Sequence, residues 1–224
     1  LSEYVEKMPE KQKDIYYISA ETKDQALASP HLEGFKSKKI PVLIMTDAID
    51  QFWLPMVGSF KEKKFTSITQ GQINLDDLDE KNKDKKKDDK NEKEKKDKEY
   101  VDLVAQLKVV LGDQVKDIRL SSKLTDSPVC LVADEGDMDI AMEQLMAQRD
   151  TNYKGAPRIL EINGDHSLIK NMKSLLSKKE NNDLVSDAGT LLFEQARLME
   201  GKMPADPAQF SKIMNQFLLK AIPN

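Results

Sequence analysis

Residue types that build active sites and cross-links are scarce in this chain of 224 residues. Its single cysteine, Cys130, excludes an internal disulfide bond, and its apolar neighbours predict a buried, unreactive thiol in a reducing compartment. The two histidines, His31 and His166, have no second histidine or cysteine at the spacing of metal ligands. We therefore expect no metal site and no thiol- or histidine-based catalytic centre.

Sequence motifs of common nucleotide-binding and hydrolytic enzymes are also missing. The chain contains no GxGxxG, GxxxxGK[ST], GxSxG or HExxH motif. Acidic pairs such as Asp134 and Glu135 arise by chance among 39 acidic residues, so they indicate solvated surface rather than a catalytic dyad. These absences predict that the chain is not a self-contained enzyme and has no catalytic residue of its own.

Charge and hydropathy argue against two classes of partner. The net charge is −4, and charges of both signs are mixed along the chain, which disfavours nucleic acid as the main partner. No apolar stretch has the length needed to span a bilayer, and the polar start of the chain does not resemble a secretory signal. Because the chain begins at Leu1 rather than Met, we expect it to be part of a longer protein, located in the cytoplasm.

One segment divides the chain by composition. Residues 76–99 contain ten lysines and eleven acidic residues, with Leu78 as the only apolar side chain. Such a segment cannot bury a core, so it is either a disordered linker or a solvated helix supported by Glu/Lys pairs four residues apart. We favour the linker, which predicts one domain over residues 1–75 and a second over residues 100–224.

The first predicted domain alternates strands and helices. Short runs rich in Ile, Tyr, Val and Phe predict buried strands at 15–20, 42–46 and 65–69. Helical composition over 22–39, interrupted by Pro30, and over 47–60 separates them. This order predicts an α/β unit, a small parallel sheet covered by helices.

The second predicted domain has a mixed α+β pattern. Three strands and three helices precede two long helices at the end of the chain. The strands are predicted at 114–121, 128–133 and 158–162, and the helices at 100–111, 137–148, 167–176, 183–200 and 207–221. We therefore expect a three-stranded sheet followed by a C-terminal helical hairpin.

The two terminal helices have more apolar residues than a small sheet needs. Those on the second helix follow steps of three and four, which gives one continuous stripe. Pairing of two hairpins into a four-helix bundle and packing onto the chain's own sheet explain the pattern about equally well. For a homodimer, the predicted interface residues are Leu184, Ala188, Leu191, Leu192, Ala196, Phe210, Ile213, Met214, Phe217 and Leu218.

Two shorter segments are unusually apolar. Met138, Met142, Leu145 and Met146 share one side of a predicted helix, and methionine suits surfaces that accept many shapes. Phe52 and Trp53 lie among four large apolar residues in five positions, which cover more than one helix face. Both segments are candidates for binding other proteins, and core packing is the alternative for each.

Several of these segments together resemble the heat-shock protein 90 chaperone family, most closely its bacterial members. The similarity runs over nearly the whole chain except the charged segment. It rests on YVEKMPEKQKDIYYISAET (4–22), SPHLEGFKSKKIPVLIMTDAIDQF (29–52), LGDQVKDIRLSSKLTDSPVCLV (111–132), RILEINGDHSLIK (158–170), LLFEQARL (191–198) and DPAQFSKIMNQFL (206–218).

This resemblance implies a fold and a function. Residues 1–75 correspond to the end of the family's middle domain, and residues from 100 onward to its C-terminal dimerisation domain. The last two helices then form the bundle between subunits, and the Met138–Met146 helix and Phe52 or Trp53 contact client proteins. The resemblance places ATP and magnesium in the longer parent protein, and co-chaperones are possible partners. A general interaction module with no role in folding clients is the alternative.

Overall fold

Two small mixed sheets, each with covering helices, build the part of the chain that the structure describes. The structure is a computed structural model, and it describes residues 1–9, 11–78, 86–150, 153, 155–177 and 182–222. Over these ranges it has nine α-helices and seven strands. The predicted mixed fold of helices with two small sheets is confirmed.

The first sheet has four strands in the order β2-β1-β4-β3. The strands are β1 (Ile15–Ser19), β2 (Leu43–Met45), β3 (Ser59–Phe60) and β4 (Lys63–Ser67). The three predicted strands pair in parallel, with Tyr17 opposite Leu43 and Ile15 opposite Phe65. Strand β3 was not predicted, and it pairs antiparallel with β4, so the sheet is mixed rather than wholly parallel.

Short helices cover this sheet. They are α1 (Ser2–Glu6), α2 (Lys23–Leu27), α3 (Glu33–Ser37) and α4 (Asp50–Val57). The side chain of Thr22 caps α2 by accepting from the amide of Gln25, and Pro30 begins a 3₁₀ turn before α3. Helix α4 is shorter than predicted because Gly58, at φ 67°, ends it.

Helix α5 (Lys86–Leu111) extends into the segment predicted as a linker. The predicted helix began at residue 100, but the helical backbone begins 14 residues earlier. Near its middle, Lys96 forms an ion pair with Asp165, and Glu99 accepts from Lys173 at 2.7 Å. Residues 79–85 of the predicted linker lie outside the described residues.

The second sheet has three strands in the order β5-β7-β6. Strands β5 (Val115–Leu120), β6 (Val129–Val132) and β7 (Arg158–Ile162) lie where they were predicted. The central strand β7 is parallel to β5 and antiparallel to β6. Its five residues are all buried, as expected for a strand covered on both faces.

Helices α6 (Ile140–Arg149), α7 (Ser167–Leu176), α8 (Asn182–Met199) and α9 (Pro207–Ala221) complete the fold. The main core forms where α5, α7 and α8 pack on the second sheet. Its most buried members are Leu103, Leu107, Leu111, Leu160, Ile162, Ile169, Met172 and Val185. Asp206 caps α9 by accepting from the amides of Ala208 and Gln209, and Pro207 occupies the first turn.

The two sheets are joined by backbone and polar contacts. The chain after β4 continues the ladder of the second sheet, because the amide of Ala133 donates to Thr69 O at 2.9 Å and the amide of Gly71 donates to Ala133 O at 2.8 Å. The carboxylate of Asp139 accepts from the hydroxyls of Ser67 and Thr69 at 2.6 and 2.9 Å. The two units are therefore docked against each other, with α6 beginning at the junction.

A second clasp at this junction comes from α3. The carboxylate of Glu33 accepts from the amides of Thr125, Asp126 and Ser127 and from the hydroxyl of Ser127. These donors outweigh desolvation and lower the pKa of Glu33. Next to it, a Cβ on Gly34 would lie 2.5 Å from the carbonyl oxygen of Lys123, so only glycine allows this close approach.

Candidate interaction surfaces

The residues predicted at a dimer interface divide into two sets. Ala188, Leu192 and Ala196 on α8 are buried in the chain's own core, and Ile213 on α9 is buried as well. For these positions the structure favours the alternative of packing within the chain. The remaining predicted residues are half-buried or exposed in the single chain, namely Leu184, Leu191, Phe210, Met214, Phe217 and Leu218.

Helix α9 has a large uncovered apolar surface. Met214, Leu218 and Ile222 follow each other at intervals of four residues, and all three are exposed. Leu219 is 75% exposed beside them. At the end of α8, Leu198 and Met199 are exposed as well. Leu219 and Ile222 were not among the predicted interface residues; Ile222 continues the four-residue steps of Met214 and Leu218, whereas Leu219 lies off that stripe.

Three of the four residues of the predicted methionine helix lie on α6. Helix α6 begins at Ile140 because the side chain of Asp139 accepts from the amide of Ala141 at 3.0 Å, so Met138 precedes the helix. Met142 and Leu145 are half-buried, and Met146 is 39% exposed. The buried face of α6 presents Ile140 and Glu143 instead. The methionine side is thus turned away from the interior, and Met138 is exposed next to it.

The predicted aromatic pair lies on α4 at the edge of the first sheet. Trp53 is half-buried, stacks edge-on against Phe65 and donates from Nε1 to Asp50 at 2.7 Å. Phe52 is exposed. Around it lie Ile49, Met56 and Val57, which are more exposed than Phe52. Met56, which is 87% exposed, is one of the four apolar residues that the sequence grouped here, whereas Ile49 and Val57 were not predicted. Phe52 thus belongs to an apolar patch, whereas Trp53 mainly anchors the helix to its own sheet.

Buried polar groups at the junction of the two sheets form hydrogen bonds and ion pairs with each other. Lys123 is almost fully buried and donates from Nζ to Ile68 O at 2.8 Å. Glu161 accepts from Nε and an NH2 group of Arg119 and from the Ser121 hydroxyl, and the Cys130 thiol lies 3.9 Å from it. Burial raises the pKa of Cys130, which agrees with the predicted unreactive thiol.

The two histidines have structural surroundings. His166 caps α7, with Nδ1 accepting from the amide of Leu168 at 3.1 Å. His31 is buried, and desolvation lowers its pKa well below the ordinary value, which keeps the ring neutral. Across the described ranges, no three His, Cys, Asp or Glu side chains are arranged to hold a metal ion. No helix among these residues is long and apolar enough to cross a membrane.

Comparison with known proteins agrees with the fold. The sequence model of the Hsp90 protein family matches residues 1–223. Chaperone protein HtpG of Roseobacter denitrificans is 41% identical over 224 residues, which cover 99% of this chain and 35% of that protein. HtpG of Paramagnetospirillum magneticum is 38% identical over 222 residues, covering 99% and 35%, and HtpG of Streptomyces coelicolor is 37% identical over 214 residues, covering 96% and 33%.

The matches cover this chain and its relatives to different extents. The chain spans about a third of the length of these curated relatives, while the family match leaves almost none of the chain uncovered. The identity exceeds 35% with relatives from distant bacterial groups. The chain therefore belongs to the Hsp90 protein family.

Proposed function

We propose that this chain is the dimer-forming and client-holding part of an ATP-dependent chaperone. The uncovered apolar face of α9 is the observation that carries the proposal. A soluble fold rarely leaves so many large apolar side chains of one helix in water unless a partner covers them. Family membership supports the same function, because the relatives are named as chaperones.

The partner on α9 is a second copy of the chain. Two hairpins of α8 and α9, packed by symmetry, form a four-helix bundle that covers Met214, Leu218 and Leu219. Helix α8 is held firmly by its own core, so it offers a fixed base for the bundle. The bundle keeps two protomers together, which raises the effective concentration of one protomer's client surfaces near those of the other.

Client proteins bind at two apolar patches in this proposal. The first is the outward side of α6 with Met138, Met142, Leu145 and Met146, and the second is the α4 patch around Phe52 and Met56. Flexible methionine side chains adapt to clients of different shape, so the contacts are weak and broad. Both patches lie on elements anchored by the docked sheets, which fixes their relative positions.

ATP belongs to the parent protein in this proposal. ATP and magnesium bind in parts of the longer chain that these residues do not include, and the bound nucleotide supplies the energy for conformational change there. The described residues contribute the dimer and the client surfaces. Co-chaperones are further partners, the compartment is the cytoplasm, and neither nucleic acid nor a membrane is a partner.

Dilution experiments test the dimer. We expect sedimentation velocity to show a dimer at micromolar concentration that dissociates on dilution, and we expect Leu218→Asp to remain monomeric with an unchanged circular dichroism spectrum. Val109→Asp is the matched control, because Val109 is 80% exposed and lies on α5 rather than on α8 or α9. A wild-type chain that stays monomeric at high micromolar concentration, or a control that dissociates like Leu218→Asp, contradicts the dimer.

Aggregation assays test client holding. The wild-type chain should slow the light scattering of a heat-denatured protein, and Met146→Gln combined with Met56→Gln should reduce this protection several-fold. Val109→Gln, which removes an exposed apolar side chain elsewhere, should keep it. Equal protection by all three proteins would contradict client binding at the two patches while leaving the dimer untouched.

A further inference from the structure

A cleft of about 460 Å³ opens between α6, the turn before α2 and the turn after α8. It lies behind the methionine side of α6 and outside both proposed client patches. Its charged and polar lining includes Glu21, Gln25, Glu143, Gln148, Glu200 and Lys202. Three carboxylates therefore face the cleft together with one ammonium group from the lining.

One of these carboxylates is already satisfied. Glu143 is buried and forms an ion pair with Arg158, accepts from the amide of Ala156 at 2.6 Å, and lies 3.5 Å from Nζ of Lys202. Arg158 also donates to Met138 O at 2.9 Å. Arg158, which does not line the cleft, is therefore paired with Glu143, and Lys202 lies between Glu143 and Glu200. The three carboxylates of the lining share this one ammonium group.

Glu200 is a buried carboxylate with one ion pair, whose cation also lies near Glu143. Its side chain is only 7% exposed, yet neither oxygen accepts a hydrogen bond from any described residue. Lys202 lies 3.3 Å from Oε2, in a direction that does not make a hydrogen bond, and it also serves Glu143. Burial raises the pKa of Glu200, as expected for a carboxylate without enough donors.

The backbone near Glu200 favours a cation as well. Glu200 directly follows the C-terminus of α8, a helix of 18 residues, where carbonyl groups concentrate partial negative charge. At the rim, Glu21 is exposed and accepts from the neutral amide of Gln148 at 3.1 Å. A ligand that fits this cleft therefore has hydrogen-bond donors and a positive charge.

A smaller cavity continues from the cleft behind Glu200. It measures about 60 Å³ and shares Gln25, Gln144 and Glu200 with the cleft. Its other walls are largely aliphatic, including Ile18, Val129 and Ile140. By volume it has room for a short hydrocarbon chain, since one water molecule occupies about 30 Å³ in the liquid.

We propose that this cleft binds a primary alkylammonium group, with the carboxylate of Glu200 accepting its hydrogen bonds. The charge pairs with Glu200 and is further stabilised by Glu21 and by the end of α8. The ammonium comes either from a small free amine, whose tail enters the aliphatic cavity, or from a lysine side chain of a peptide, whose stem stays in the outer cleft. In both cases the ammonium group binds to the carboxylate of Glu200.

Titrations with paired ligands test the site on the 224-residue chain. n-Butylammonium chloride should shift amide resonances around Glu200 and Gln144 in NMR spectra. n-Butanol has the same tail without the charge, and we expect it to bind at least about tenfold more weakly. Equal shifts by both ligands, or no saturable shift with n-butylammonium, would overturn the proposal without any mutation.

Substitutions at Glu200 sharpen the test. Glu200→Gln keeps the shape and removes the charge, and we expect at least about tenfold weaker n-butylammonium binding with no loss of thermal stability. Glu135→Gln is the control, because Glu135 is exposed and does not line the cleft, and it should leave binding unchanged. Unchanged affinity in Glu200→Gln would overturn the assignment.

N-acetyl-lysine methylamide separates the two sources of the ammonium group. Binding of both probes, each lost in Glu200→Gln, supports a cleft that accepts a lysine side chain. Binding of n-butylammonium alone supports a free amine as the ligand. Neither result depends on the dimer or on client binding, so failure of the cleft proposal leaves the proposed chaperone function standing.

Discussion

Helices α8 and α9 are consecutive, similar in length and equally amphipathic in sequence, yet the fold treats them differently. Helix α8 buries seven residues, including Val185, Leu192 and Phe193, whereas α9 buries only Ile213. Helix α8 packs against α5, α7 and β6, while the main contact of α9 is α8 itself. An apolar stripe therefore predicts that another surface packs against the helix. The elements around the helix determine whether that surface belongs to the same chain or to another one.

The difference between the two helices concerns two free energies, that of folding and that of association. Burial of the α8 stripe stabilises each protomer, because its apolar area leaves water when the chain folds. The α9 stripe remains in water in the single chain, so its burial is available for association. On this view the stability of the protomer depends on α8, and the affinity between protomers depends on α9.

The largest expected effect on stability comes from truncating a leucine to alanine on each of the two helices. Leu192→Ala should lower the free energy of unfolding by about 2–5 kcal/mol, because it opens a cavity in a packed core. Leu218→Ala, at a position 49% exposed, should cost under about 1 kcal/mol in dilute protein. Urea unfolding at submicromolar concentration measures both, and equal losses would break the comparison between the two helices.

An intermediate loss of stability is expected from a substitution that affects the turn between α8 and α9. Glu194 on α8 is buried, and its carboxylate accepts from the amide of Ala205 at 3.1 and 3.2 Å. Glu194→Ala leaves that amide unpaired and should cost about 1–3 kcal/mol in urea unfolding. Gln195→Ala changes the neighbouring exposed position and should stay within about 0.5 kcal/mol of the wild type.

The Glu194 variant also separates folding from association. Because Glu194 fixes the turn before α9, its loss should disturb the direction of α9 and weaken the dimer in sedimentation velocity as well. A variant that loses stability but dimerises like the wild type would show that the turn does not orient α9.

Periodicity predicted the elements of the second sheet well. The ends of α7, α8 and α9 fall at or within one residue of their predicted positions, and Gly201 and Asp206 mark the end of α8 and the start of α9 in the sequence. Strand β3 was missed because no turn signal in the sequence marks its end. It pairs through a two-residue turn at Lys61 and Glu62, both at positive φ, where the usual Asn-Gly signal is absent.

The candidate sites were harder to predict than the elements. Spacing placed Ala188, Leu192 and Ala196 on an apolar stripe but could not tell an internal neighbour from a second chain. The helix predicted from residue 137 begins at Ile140, because Asp139 caps it, so Met138 lies outside α6. The Glu200 cleft could not be predicted at all, because Glu21, Glu143 and Glu200 are far apart in sequence and meet only in the folded chain.

The smallest effect on the protomer is expected at the cap of α9. Asp206→Ala removes the acceptor for the amides of Ala208 and Gln209, which should destabilise the helix by about 0.5–2 kcal/mol. Since α9 adds little to the core of the single chain, the unfolding midpoint of dilute protein should hardly change. The same loss should appear in association instead, as a dimer about two- to thirtyfold weaker in sedimentation velocity. A lower midpoint in dilute protein with an unchanged dimer affinity would reverse the roles assigned to the two helices, because it would mean that α9 stabilises its own chain rather than the pair.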